Sequence, residues 1–165
     1  MRRKKNTATS CIRLKVKLLS NGWQAYQRAN IYRVIEILPT DTLASLHDEI
    51  FQAFDRYEAH MYEFSFGSKR PYAPNAVKFG LPEVIMDVDG EAYYDARKTT
   101  LASLELQPRD EFYYLFDFGD DWWHRITVVA VDVPLETNRK YPCVVQTKGD
   151  SPPQYGEEDE DDEEE

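Results

Sequence analysis

Three histidines and a few aspartates are the residues of this 165-residue chain with the widest chemical reach. His47, His60 and His124 could together ligate a divalent metal, with Asp117 or Asp120 adding a carboxylate. The same five residues could instead form an acid–base centre, because imidazole exchanges protons near neutral pH. No H-x-x-x-H pair sets two ligands on one helix face, so either site must be assembled by the fold. The competing account makes each histidine a core or rim residue whose ring nitrogens bond to backbone or carboxylate. Trp122, Trp123 and Arg125 form a candidate binding surface. Adjacent residues on a strand face opposite sides, so one indole leaves the main core, either to anchor a partner or to be covered by a loop such as Gly67 to Glu83.

Other chemistries find little footing. There is no G-x-S-x-G nucleophile elbow and no glycine-rich phosphate loop. Asp117-Phe118-Gly119 spells the DFG of protein kinases, but the rest of the kinase set is missing. Cys11 and Cys143 lie in no C-x-x-C pair, which predicts free thiols and a reducing compartment.

The positioning elements are legible from periodicity. The stretch from Asp110 to Val131 organises the chain: Phe112, Tyr114, Phe116 and Phe118 alternate with polar and smaller neighbours. After Gly119-Asp120-Asp121, Trp122, His124, Ile126 and Val128 share one face, and Trp123, Arg125, Thr127 and Val129 the other. This predicts a hairpin, with φ > 0 at Gly119 and the aspartates bonding turn amides. Cys11 to Leu19 and Ile31 to Leu38 read as two strands of a first hairpin, with Trp23 to Ala29 at its tip. Thr40 or Asp41 opens a helix whose Leu43, Leu46, Ile50 and Phe54 form an apolar stripe, with His47 in its middle. His60 to Phe66 alternates as a third strand. Gly67 to Glu83, with three prolines, reads as a long loop, and Val84 to Tyr94 as either a short strand or more loop. Thr99 to Leu104 repeats the TLASL of Thr42 to Leu46 as one helical turn. Asp132 to Lys140 reads as a polar connection, and Tyr141 to Thr147 as a last edge strand.

The expected fold is α+β: a β-grasp (ubiquitin-like) mixed sheet with one main helix packed on it, extended by the C-terminal hairpin. Residues 1–10 are expected to form a flexible basic arm, 11–147 a single domain, and 148–165 coil ending in a disordered acidic tail. Of the net charge of −10, nine units belong to Glu157 through Glu165, which leaves −1 for the rest. No apolar run approaches the ~20 residues that span a bilayer, and no leader pattern opens the chain, so a cytoplasmic protein without membrane contact is expected.

Several segments together resemble a known family. They are TLASLHDEIFQAF, His60 with Phe64, YLFDFGDDWWHRITV, Tyr141-Pro142-Cys143 and Ser151-Pro152-Pro153. They are similar to the plasmid pRiA ORF-three-like family, some of whose members also carry the label of insertion-element passenger proteins resembling TnpR. The resemblance runs from Cys11 to Gly156 and matches at His47, His60, Asp117, Gly119, Asp120, Trp122 and His124. It implies an α+β domain linked with plasmids and mobile elements, without an assigned activity. The TnpR label implies a resolvase, but no recombinase serine or arginine cluster is present, so that activity is not carried over. Ser151 stands where the family pattern has Cys, and Gln154-Tyr155 where it has Glu-Asp.

Three functions follow as expectations. The first is a non-enzymatic module that binds a protein by strand addition or by a Trp-centred patch. The second is a metal or acid–base site at the histidines, with a divalent metal as the only cofactor considered. The third is a nucleic-acid accessory protein using the basic arm with Lys15 and Lys17.

Overall fold

Strict alternation along Ser10–Ser20 makes β1, with Ile12, Leu14, Val16 and Leu18 buried against the helix side. Tyr32–Ile37 returns antiparallel as β2, in register from Lys17 opposite Tyr32 to Ile12 opposite Ile37. The computed structural model describes residues 9–67, 76–82 and 93–155. The expected arm through residue 8 and the acidic run from residue 156 lie outside them.

Helix α1 spans Leu43–Ala53. Thr42 caps it, its Oγ1 accepting from the Ser45 amide at 3.2 Å. Leu43, Leu46 and Ile50 point into the sheet, and burying each contributes about 1.5–3 kcal/mol. The two TLASL copies meet here. Thr42 bridges Thr100, and the Leu43 and Leu101 amides bond to Thr99 and Asp41 carbonyls at 2.9 Å. The second copy forms only a short 3-10 turn, Ala102–Leu104.

The remaining strands are β3 (Tyr62–Phe66), β4 (Val77–Gly80), β5 (Tyr93–Asp95), β6 (Glu111–Phe116), β7 (Trp122–Pro134) and β8 (Cys143–Lys148). They join β1 and β2 in one mixed sheet ordered β5-β4-β3-β6-β7-β1-β2-β8. Among the described strands only β4 and β5 run parallel. Among the described residues no helix is long and apolar enough to cross a membrane.

The structure corrects several expectations. The β6–β7 hairpin does not extend the sheet at an edge; it lies in the middle, with β7 between β6 and β1. The central place follows from burial, since Phe112, Tyr114 and Phe116 are solvent-free and need neighbours on both sides. Part of the supposed loop Gly67 to Glu83 is strand β4, paired with β3 from Phe64 opposite Phe79. Tyr93–Asp95 is a strand, whereas most of Val84 to Tyr94 lies outside the described residues. β7 runs on to Pro134, into the segment read as a connection. In the hairpin turn the left-handed positions are Asp117 (φ 65°) and Asp121 (φ 54°), not Gly119. Asp117 holds the turn by accepting from the Gly119 and Asp120 amides at 3.0 and 3.2 Å, which favours aspartate at that strained position.

Side chains sort onto two faces. The helix-side core contains Phe64, Phe112, Tyr114, Phe116, Trp122, Ile126 and Val128. A smaller cluster on the opposite face joins Leu19, Tyr113, Leu115 and Trp123, with Phe118 packed against it. Both indoles are therefore inside, 2% and 5% exposed, and neither is a surface anchor. Arg125 is half-buried on the face away from the helix, paired with Lys17 and Tyr113 across the strands.

Candidate polar site under the helix

Alternation on β6 and β7 and the helical period of α1 aim His47, Tyr114 and His124 into one layer between helix and sheet. Tyr114 is fully buried, and burial raises its pKa, so the phenol keeps its proton. Its hydroxyl and His47 Nδ1 share a hydrogen bond of 2.6 Å. The His47 ring also stacks on Tyr62, centroids 3.6 Å apart. Burial first, and then the charge of Arg56, lower the His47 pKa to about 3. His47 is thus neutral at physiological pH, with its Nδ1 engaged. Tyr114→Phe should cost about 1–3 kcal/mol, because it strips a half-buried ring nitrogen of its hydrogen-bond partner; chemical denaturation checks this.

His124 has no exposed surface. Its Nδ1 lies 3.2 Å from the Tyr114 carbonyl, which can only accept, so Nδ1 carries the proton. Nε2 is then an acceptor and takes Arg56 Nη2 at 3.0 Å. Burial, followed by the Arg56 charge, holds the His124 pKa well below the usual range.

Arg56 is the centre of this layer. It follows α1 directly and is 8% exposed. Its guanidinium carbon sits 4.9, 5.0 and 5.3 Å from the ring centroids of Phe116, Trp122 and Phe54. Desolvation lowers its pKa to about 10, so it remains charged at pH 7. Three aromatic faces and one imidazole lone pair offset the cost of a buried cation. Arg56 Nη1 and Trp122 Nε1 are buried without a hydrogen-bond partner among the described residues.

His60 stands apart from the other two. Its side chain is 29% exposed, with Nε2 2.7 Å from Tyr155 Oη and 3.5 Å from Asp117 Oδ2. Glu58 Oε1 lies 3.9 Å away. Residues 149–155 cross this end of the domain as a strap. Gln154 is 4% exposed and accepts from the Tyr57 and Glu58 amides while donating to the Glu58 carbonyl. Arg33 holds the start of the strap through the Lys148 and Gly149 carbonyls, each at 3.0 Å.

The histidines therefore surround one pair of rings, Tyr114 and Phe116, without sharing a centre. Among the described residues, no group of three or more His, Cys, Asp or Glu is placed to hold a metal ion. Asp117 joins His60 and the turn amides, and Asp120 gives its carbonyl to the Gly22 amide. Of the three histidines, only His60 reaches solvent with a carboxylate and a phenol beside it. Arg56, Tyr62, Tyr114, Gln154 and Tyr155 complete the cluster and escaped the sequence reading. The one signal for the last two was their departure from the Glu-Asp of the family pattern.

A second feature lies on the opposite face. Strands β7, β1, β2 and β8 floor an open concavity of about 530 Å3, with Val34, Val129 and Val145 in it. Val129 and Val145 are 46% and 37% exposed. Among the described strands β8 ends the sheet, and its last four residues are exposed.

The chain is similar to known proteins in sequence and in fold. A family model described as plasmid pRiA4b ORF-3-like protein covers residues 10–158. A protein of Sinorhizobium fredii (strain NBRC 101917 / NGR234), named uncharacterized protein y4hQ, is 29% identical over 146 residues. That match takes in 88% of this chain, which spans 66% of the relative's length. The crystal structure of a protein of unknown function, MM3350 from Methanosarcina mazei Go1, has a TM-score of 0.67 at 24% identity. It covers 91% of this chain and 76% of that one, and establishes likeness of fold.

Proposed function

This chain belongs to the plasmid pRiA4b ORF-3-like family, and from that premise we propose that it is a non-enzymatic interaction module that receives an extended protein segment along β8. The observation that carries this reading is the β8 edge itself. A terminal strand offers a row of backbone donors and acceptors to an incoming strand. In β8 a register shift against β2 turns both Val145 and Gln146 toward the concavity, so the edge opens onto a shaped floor.

The polar cluster supports the same reading by what it is occupied with. His47 and His124 are neutral and hydrogen-bonded within the core, which suits scaffolding better than proton transfer. The order of elements supports kinship with the β-grasp. β1 and β6 run in the same direction, and β7 is inserted between them, where a β-grasp pairs its first and last strands directly. Two free thiols suit the cytoplasm, and the plasmid name of the family supports a setting among mobile genetic elements.

The test is selection of binders from a display library of extended peptides, followed by Val145→Glu. Residue 145 is exposed enough for the glutamate to remain solvated in the free protein. The substitution places a carboxylate on the apolar floor and should weaken selected peptides about tenfold or more. Undiminished affinity would remove β8 from the account.

A further inference from the structure

We propose that the segment received at β8 is acidic, and that the partner chain continuing from that edge crosses the outer face of β8, β2, β1 and β7. The inference rests on the edge-binding reading above and adds the chemistry of the partner. Cross-strand register puts Arg125, Lys17, Tyr32 and Lys148 in a single line across these four strands. Facing pairs in a sheet share a side, so three cations form a row beside the floor. Lys15 continues the positive charge along β1.

The carboxylates that line the concavity, Glu36 and Glu136, are already engaged. Glu36 is buried and takes Arg13 at 2.9 Å and Arg139 at 2.8 Å, and Arg139 also holds Glu136 at 2.7 Å. The row Arg125–Lys17–Lys148 contains no carboxylate of its own. Positive potential over a concave sheet face attracts an anionic partner and falls with added salt.

Single-stranded nucleic acid also carries negative charge, but it is held through exposed aromatic faces on which bases stack. The two aromatic residues in line with the row do not offer them. Tyr32 is covered by Lys15, whose Nζ lies 4.2 Å from the ring centroid, and Tyr113 is 4% exposed. What the floor offers instead is Val34, Val129 and Val145. Valines between cations fit a peptide whose one face alternates carboxylates with small apolar side chains. A repeat of Glu-Glu-Val-Val has that property on both faces, because strand side chains alternate.

The experiment compares binding of three labelled probes to the full chain: a Glu-Glu-Val-Val repeat peptide, its Lys-Lys-Val-Val counterpart, and an oligothymidylate of similar length. The double variant Lys17→Glu/Lys148→Glu is measured alongside, with circular dichroism to confirm folding. The acidic peptide should bind, more weakly as salt rises, and the charge reversal should weaken it about tenfold or more. The variant should gain affinity for the basic peptide. Equal binding of both peptides to the unaltered chain would overturn the acidic assignment and leave edge binding intact. Tighter binding of the oligonucleotide, lost in the same variant, would overturn it in favour of nucleic acid. Failure of both repeat peptides where display-selected peptides bind would also overturn it, whereas failure of every peptide would remove the edge reading as well.

Discussion

Lowering the pH from 7 to 5 should remove about 4 kcal/mol of folding stability, well before most carboxylates titrate. The folded pKa values of His47 and His124 lie below the ordinary 6.5. A basic group depressed in the fold binds protons in the unfolded chain that it refuses in the native one. Stability is therefore intact above about pH 6.5 and falls as pH drops through that value. The decline continues until the folded pKa is reached, about 3 for His47. Each histidine contributes a slope near 1.4 kcal/mol per pH unit. His124 is the firmer of the two, with no exposed surface, whereas His47 is half-buried. His124→Gln keeps a donor and an acceptor on the side chain but cannot ionise, so it should remove about half of the slope. Urea unfolding across this pH range measures both quantities. A slope unchanged in the variant would mean that His124 is not the buried neutral imidazole described above.

The second large effect concerns Arg56. Arg56→Ala should destabilise the fold by roughly 3–5 kcal/mol, through a cavity among Phe54, Phe116 and Trp122 and a bare Nε2 on His124. Arg56→Met should cost less, about 2 kcal/mol or under, because it fills much of the volume and removes a desolvated cation. Both variants should raise the His124 and His47 pKa values, since the guanidinium charge depresses each of them. NMR titration of the imidazole resonances separates this electrostatic effect from lost packing. If the methionine variant proved as damaging as alanine, the guanidinium would be acting through bonds to a charged partner rather than as a caged cation.

Much of this arrangement was visible in the amino-acid sequence, and the reason differs by element. β1, β6 and β7 declare themselves because each buries one face over many residues, giving long alternation. Helix α1 does so through its Leu43–Leu46–Ile50 stripe. β4 was lost because Val77–Gly80 is too short to show a period and sits between Pro74 and Pro82. The central position of the β6–β7 hairpin was hidden because alternation tells which side of a strand is buried, not which strand lies next to it. The inward aim of the three histidines was likewise legible, but not what they meet. His47 bonds a tyrosine 67 residues away, His124 an arginine 68 residues away, and His60 a tyrosine 95 residues away. Such pairings arise from the fold, and nothing local in the chain announces them. For Trp122 and Trp123 alternation showed that one indole leaves the main core, but not what would cover it: the second face has a core of its own, made by Leu19, Tyr113 and Leu115, which takes in Trp123.

The most direct measurement is amide hydrogen exchange along β8 with and without a bound display-selected peptide. The amides of Cys143–Lys148 that point away from β2 should exchange readily in the free protein and slow markedly in the complex, as an added strand takes up their hydrogen bonds. Protection that leaves residues 143–148 unchanged and gathers around Arg56, His60 and the 149–155 strap would contradict edge binding. It would place the functional site at the buried cation instead.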